Sequence, residues 1–356
     1  MSINGSRALI RTAINPTCEL QAGMVLGGVD ERDMYRLLTG HDYPKEYGER
    51  ASARRRGRKF EQNLFANDGA LLKGAVASLC GVDPDKIWLR NLLEEVPGKD
   101  GKLACLGRTR QIIGDAMAGR PAPQIVIHPH LLLPLHTKQR PHVTIVPDFI
   151  VWIRERAAFM PGEIKSFIVR DNAVEPGDLE RTRLQAAVEI LALRAEFEIH
   201  KAGKLIGNGA GFVFSTPYGL KPAPIVIEEL DGPLSEITRA RDALKRTSVR
   251  LEHLTVPEKA RLENIAAELA INYQEKCVST CALSDVCGSR YRGTARQLGD
   301  AAATMLGPET ELSRLEQLLA GATPLTQKEQ IQAAALQRVA RSLRLDPTLI
   351  ARSQVA

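Results

Sequence analysis

Val143-Thr144-Ile145-Val146-Pro147-Asp148-Phe149-Ile150-Val151-Trp152-Ile153, followed after a turn by Gly162-Glu163-Ile164-Lys165-Ser166-Phe167-Ile168-Val169, decides the fold of this 356-residue chain. Both runs are rich in β-branched and aromatic residues, and Pro and Gly stand around them, so each reads as β-structure. Val143–Val146 leading into Asp148–Ile153 is expected as the first strand of a hairpin, and Gly162–Val169, after a turn, as its second strand.

Working outward, Pro176 and Gly177 mark a break before a long helix over about 178–201, with Leu184, Val188, Leu191 and Ala195 on one face. Gly211–Phe214 and Ile225–Ile227 read as further strands, and helix returns over about 234–276 with an interruption near Pro257. Upstream, 49–72 is helical, basic at first and then apolar at Phe60, Leu64 and Phe65. Residues 1–45 give no strong periodic pattern, and 121–135 hold the apolar run Ile125–Ile127 and then a stretch rich in Pro and His. The last 60 or so residues are helical in pattern, with breaks at Pro308, Pro324 and Pro347. The expected class is α/β, a mixed central sheet flanked by helices with a helical C-terminal extension.

Chemistry enters where charges interrupt the apolar strands. Residues i and i+2 of a strand share a face, so Glu163 and Lys165 project together while Ile164 turns into the core. Fourteen residues separate Asp148 from Glu163, room for one strand and a turn. With Glu163 at the start of its strand, Asp148 is expected to reach it only through a twist or bulge. Two carboxylates beside a lysine suit phosphodiester cleavage: hard oxygens hold Mg²⁺ or Mn²⁺, and the lysine is a compact point charge for the attacked phosphate. Asp and Glu-x-Lys also occur as solvated strand charges, but a charge inside such strands is costly unless it serves a site.

The six cysteines are too few for a disulfide scaffold of this length. Cys277, Cys281 and Cys287 are packed into one short stretch, and Cys18 lies far upstream. Four thiolates suit either an iron–sulfur cluster or a tetrahedral zinc. Cys80 and Cys105 read as small buried hydrophobes, with Cys105 the substitute ligand should Cys18 not serve. His128, His130, His136 and His142 are irregularly spaced and read as loop or core residues.

Taken together these motifs resemble the PD-(D/E)xK nuclease superfamily, and within it the RecB-like iron–sulfur branch that includes the CRISPR-associated exonucleases and the AddB nuclease domain. Gly57-Arg58-Lys59-Phe60-Glu61 matches that branch's motif on the helix before the catalytic strands, and Gln185 its glutamine on the helix after them. The resemblance spans about 6–292 and implies a restriction-endonuclease-like core in a nuclease domain of 1–292, with 293–356 appended. It implies Asp148, Glu163, Glu61 and Ile164 in the metal shell, with Lys165 assisting the attacking water and Gln185 holding the site or the DNA. It also implies a 4Fe–4S cluster on Cys18, Cys277, Cys281 and Cys287, one cysteine before the nuclease motifs and three after. This chain departs from the family in two places: three residues rather than two separate Cys277 from Cys281, and Glu189 stands where the family has tyrosine.

Net charge is +6, with basic residues clustered over Arg54–Lys59, and a basic surface favours polyanions. Arg56, Arg58, Lys59, Arg181 and Arg183 are the candidate phosphate contacts. No apolar stretch approaches a membrane span and the N-terminus lacks a signal peptide's apolar core, so a cytoplasmic protein is expected. No Gly-x-x-x-x-Gly-Lys-Ser/Thr loop appears, so unwinding would fall to a separate helicase or defence-system subunit. The expected activity is that of a metal-dependent DNA nuclease, an exonuclease acting on single-stranded or end-bearing DNA in bacterial DNA processing or phage defence. A non-catalytic DNA-binding or assembly subunit and a restriction-type endonuclease are the alternatives.

Overall fold

The computed structural model describes residues 5–42, 51–96, 101–153, 158–169, 176–199, 205–216, 220–223, 226–252, 269–274 and 300–342, with single positions at 174 and between 277 and 295. The chain divides into two compact units. The first comprises 1–16, 21–29 and 44–257; the second comprises 17–20, 30–43 and 258–356. The junction expected at 292/293 falls inside the second unit.

The first unit is α/β, built on a six-stranded mixed sheet. In chain order its strands are β1 (Leu89–Asn91), β2 (Ile125–Ile127), β5 (Phe149–Ile153), β6 (Ala158–Ile168), β7 (Gly209–Ser215) and β8 (Val226–Glu229), and they lie side by side in that order. β1–β2 and β6–β7 pair parallel, while β2–β5, β5–β6 and β7–β8 pair antiparallel. A separate antiparallel pair joins β3 (Leu131–Pro134) to β4 (His142–Ile145).

The helices of this unit lie on both faces of the sheet, and the strand alternation says why. Ile125, Ile127, Phe149, Val151 and Ile164 pack with Phe60, Leu64 and Leu72 of α4 (Ala51–Cys80). Their neighbours Val126, Ile150, Trp152, Phe212 and Phe214 face α1 (Gly5–Ile14), α7 (Pro176–Glu198) and α8 (Asp231–Glu252). Period-two alternation thus feeds two hydrophobic layers from each central strand. The remaining elements of the unit are α5 (Leu92–Glu95) and α6 (Gly101–Met117). α4 is two helical segments joined at Ala66–Gly69, where Asn67, Asp68 and Gly69 take φ of 52°, 56° and 69°. Asn, Asp and Gly are the residues that visit this left-handed region at least cost.

Several expectations are corrected. The expected hairpin is the antiparallel pair of β5 and β6, but its first strand does not include Val143–Val146, since β4 is a separate strand paired with β3. β6 begins at Ala158, so Glu163 lies mid-strand, and the Phe149↔Gly162 pairing brings Asp148 beside it with no bulge at that point. Gly162 is needed there, because a Cβ on it would lie 2.1 Å from the Phe149 ring. The α7 helix is not buried along a single face: Ala186, Ala187, Val188, Ile190, Ala192 and Leu193 are all within the core, along with Glu189 and Glu196. It packs between β3, β6, α1 and α8, and this contact on several sides accounts for the burial. α8 is described over Asp231–Glu252, and 269–274 are not helical, while the interruption expected near Pro257 lies outside the described residues.

Residues 1–45 hold three helices, α1, α2 (Glu19–Gly27) and α3 (Glu31–Thr39). Pro16 and Gly28 separate these helices and Gly40 ends the third, rather than preventing them. Asp30 caps α3, its side chain accepting the Arg32 amide at 2.8 Å, and Gly40 closes the helix at φ 72°. In the second unit α9 (Asp300–Leu306), α10 (Leu312–Leu319) and α11 (Gln327–Ser342) form a small helical cluster around Ala295, Leu306, Leu312 and Leu315. No helix among the described residues is long and apolar enough to cross a membrane.

Candidate active site

Asp148 enters the site from the bend before β5, and its Oδ2 accepts the Ile164 amide at 2.7 Å. Glu163 and Lys165 alternate with Ile164 on β6, so they share the face that looks toward α7 while Ile164 fills the α4 side. Glu163 is fully buried. Its Oε1 accepts from Gln185 Nε2 at 2.5 Å, and its Oε2 takes the Lys165 ammonium, which also stands 4.0 Å from Asp148 Oδ2. Glu61 lies half-buried on α4, and its charge is felt at Asp148. The structure therefore brings Asp148, Glu163, Lys165 and Gln185 together and sets Glu61 within electrostatic range.

The electrostatics are those of an acid cluster with too few cations. Burial pushes the Asp148 carboxyl up to about 7, with the Glu163 charge adding to the rise and Lys165 and the Ile164 amide opposing it. The side chain keeps 24% of its surface accessible despite the protein packed around it, so the site has an opening to solvent. Burial alone would lower the Lys165 ammonium, but Glu163 and then Asp148 outweigh it and hold the lysine above its ordinary value.

One member was not singled out from the sequence as a site residue. Glu189, one turn after Gln185, is fully buried and faces the same carboxylates. Its Oε1 is 3.4 Å from Gln185 Nε2, and its Oε2 has no hydrogen-bond partner. Burial raises its carboxyl well above the usual range, and the nearby Glu163 raises it further. The signal was present in the sequence: an acid four residues after Gln185, set inside the apolar run Ala186-Ala187-Val188-Glu189-Ile190-Leu191.

Hard oxygen donors in excess of cations, one of them buried without a partner, fit a divalent metal in chemical kind. Among the described residues, no three His, Cys, Asp or Glu side chains are arranged to hold an ion. The Lys165 ammonium instead rests on Glu163.

The candidate phosphate contacts divide. Arg58 and Lys59 on α4 and Arg181 on α7 are exposed, and Arg183 is half-buried. Arg56 turns inward: its Nε donates to the Ser166 carbonyl at 3.1 Å and a terminal nitrogen to Ser215 Oγ at 3.2 Å, which ties α4 to β6 and β7. His130 is buried, with its amide bonded to Thr109 Oγ1 at 3.1 Å. His128 is half-buried, with its amide on the Asp148 carbonyl at 3.0 Å. His136 and His142 are exposed.

Cys18, Cys277, Cys281 and Cys287 all belong to the second unit. Cys277 and Cys287 are buried, and Cys18 and Cys281 half-buried. The Gln274 amide donates to Cys277 Sγ at 3.4 Å, and the Cys281 amide to the Cys277 carbonyl at 2.9 Å. Burial pushes the Cys281 thiol up to about 12; a Leu283 backbone hydrogen bond opposes this, and Glu31, Cys277 and Cys18 add to it. Thiols in mutual electrostatic range with an amide aimed at one sulfur fit a thiophilic metal in donor type. Cys105 lies in the first unit, its thiol 3.7 Å from the Leu92 carbonyl, and the Cys80 side chain is outside the described residues. No protein-family model, curated protein or solved structure matches this chain.

Proposed function

We propose that the first unit is a metal-dependent DNA phosphodiesterase with a restriction-endonuclease-like core of the PD-(D/E)xK kind. The observation that carries this reading is the convergence of Asp148, Glu163, Lys165 and Gln185 from the β5 bend, β6 and α7, with a surplus of buried negative charge. Asp148, Glu163, Glu61 and the backbone of Ile164 would hold Mg²⁺ or Mn²⁺. The ion would supply Lewis acidity, making water a better nucleophile and offsetting charge on the phosphate. Lys165 presents a permanent positive charge to the phosphate oxygens, and Gln185 fixes the orientation of Glu163. Exposed Arg58, Lys59 and Arg181 would meet the DNA backbone, where each contact adds salt-sensitive, sequence-independent affinity. In the second unit, the four cysteines would hold a 4Fe–4S cluster, which purified protein reports as visible absorption with about four irons per chain.

A second reading is favoured by the ion pair itself. Lys165 already offsets Glu163, as it would in a non-catalytic DNA-binding subunit that keeps the fold. Labelled single- and double-stranded DNA incubated with Mn²⁺ separates the two. Wild type should degrade the DNA, and Lys165→Ala should be slower by roughly a hundredfold or more. Identical cleavage by both proteins, or none by either, rejects the nuclease reading. Discrete fragments instead of progressive shortening would indicate a restriction-type endonuclease.

A further inference from the structure

We propose that Glu189 is a further carboxylate for the divalent cation of this site, an inference that rests on the metal-dependent reading above. Glu163 has both oxygens engaged, Oε1 by Gln185 and Oε2 by Lys165, and Asp148 Oδ2 takes the Ile164 amide. Glu189 is as deeply buried as Glu163, yet its Oε2 meets no donor. A carboxylate oxygen buried in that way must take either a proton or a cation, because leaving it bare costs the full desolvation of the group. In the metal-free protein the neighbouring acids favour the proton, which a hydrogen bond shares with Glu163. A divalent cation held by several of those acids at once would displace it. Asp148, Glu163 and Glu189 are three acids around the single ammonium of Lys165, and Glu61 adds negative potential at Asp148. α7 holds the group rigidly: Ala186, Ala187, Val188 and Ile190 around it are all in the core. An ion held there competes with Lys165 for Glu163, so the site exchanges one positive charge for two.

Calorimetric titration of the metal-free full-length protein with Mn²⁺ tests this without an activity readout. Wild type should bind, Asp148→Asn should lose binding, and Glu189→Gln, which keeps the shape but not the charge, should bind roughly tenfold or more weakly. Glu189→Met, matched in volume and without a carboxylate, should weaken binding as much, and neither Glu189 variant should melt below metal-free wild type. Unchanged Mn²⁺ affinity in Glu189→Gln, with binding lost in Asp148→Asn, overturns the role of Glu189 and leaves the metal-dependent reading standing. Both Glu189 variants melting below wild type also overturns it, because the carboxyl would then be a packing group. A wild type that binds no Mn²⁺ overturns both.

Discussion

Glu189 and Glu196 lie two turns apart on α7, both buried, and the protein treats them in opposite ways. Glu196 receives a two-pronged Arg110 at 2.7 and 3.1 Å and the Leu132 amide at 2.9 Å. These bonds hold the Arg110 guanidinium above its ordinary value. Glu189 has one long contact from Gln185, an oxygen with no donor, and two further acids beside it. One helix thus carries an acid matched by donors within the fold and an acid left short of them. A buried carboxyl that the fold leaves short of donors must find its partner in a proton or a ligand, whereas Glu196 finds its own in the fold.

The largest expected effect breaks the matched member. Arg110→Met removes both prongs and leaves Glu196 with the Leu132 amide alone. Uncovering a buried carboxylate costs several kcal/mol; because Arg110 keeps 40% of its side chain exposed, the loss should sit near the low end, about 3 kcal/mol. Urea denaturation measures it. Mn²⁺ affinity should be unchanged, and a parallel loss of metal binding would erase the distinction between the two acids.

The unmatched end of the comparison should show in pH dependence. Asp148 has an ordinary value of 3.8 and stands at about 7 in the folded protein. Between those values the folded chain holds a proton that the unfolded chain has released, so metal-free stability should fall as pH rises from about 4 through about 7. With water reaching a quarter of the side chain, the fall should be about 2 kcal/mol at order of magnitude. Denaturation in chelator across that range should show the slope in wild type and a shallower one in Asp148→Asn, where the raised Glu189 carboxyl still contributes. An equal slope in both assigns it elsewhere.

The sequence made the acids of the site easy to find and their geometry hard. Asp148, Glu163 and Lys165 stood out because charges inside β-branched runs are costly. The register did not, because Pro161 before Gly162 reads as a strand boundary, whereas β6 runs through it. Pro161 precedes Gly162, the first residue in the continuous ladder with β7, and this placement lets the strand accept a residue without an N–H. Leu131–Pro134 was hidden by its Pro- and His-rich flanks, although its burial alternates as a strand's should. Glu189 is inconspicuous in the sequence because a helix packed on several sides has no polar stripe against which an inward acid stands out.

The smallest effect comes from a third glutamate with the same donors as Glu196 in a wetter place. In the second unit Glu329 accepts from Arg314 at 2.9 and 2.7 Å and from the Leu325 amide at 2.6 Å. Its carboxyl is lowered to about 2, first by the Arg314 hydrogen bonds and then by the Leu325 amide. Arg314 and Glu329 keep 22% and 17% of their side-chain surface accessible, against 2% for Glu196, so water and salt screen Glu329 more. A depressed acid contributes stability above its ordinary value of 4.5 and loses it as pH falls through about 2. Glu329→Gln should therefore flatten the acid limb of the unfolding curve slightly, and added salt should shrink the difference further. If Glu329→Gln instead cost as much as Arg110→Met, the donor set rather than its burial would set the worth of such a pair, and the contrast drawn along α7 would lose its physical basis.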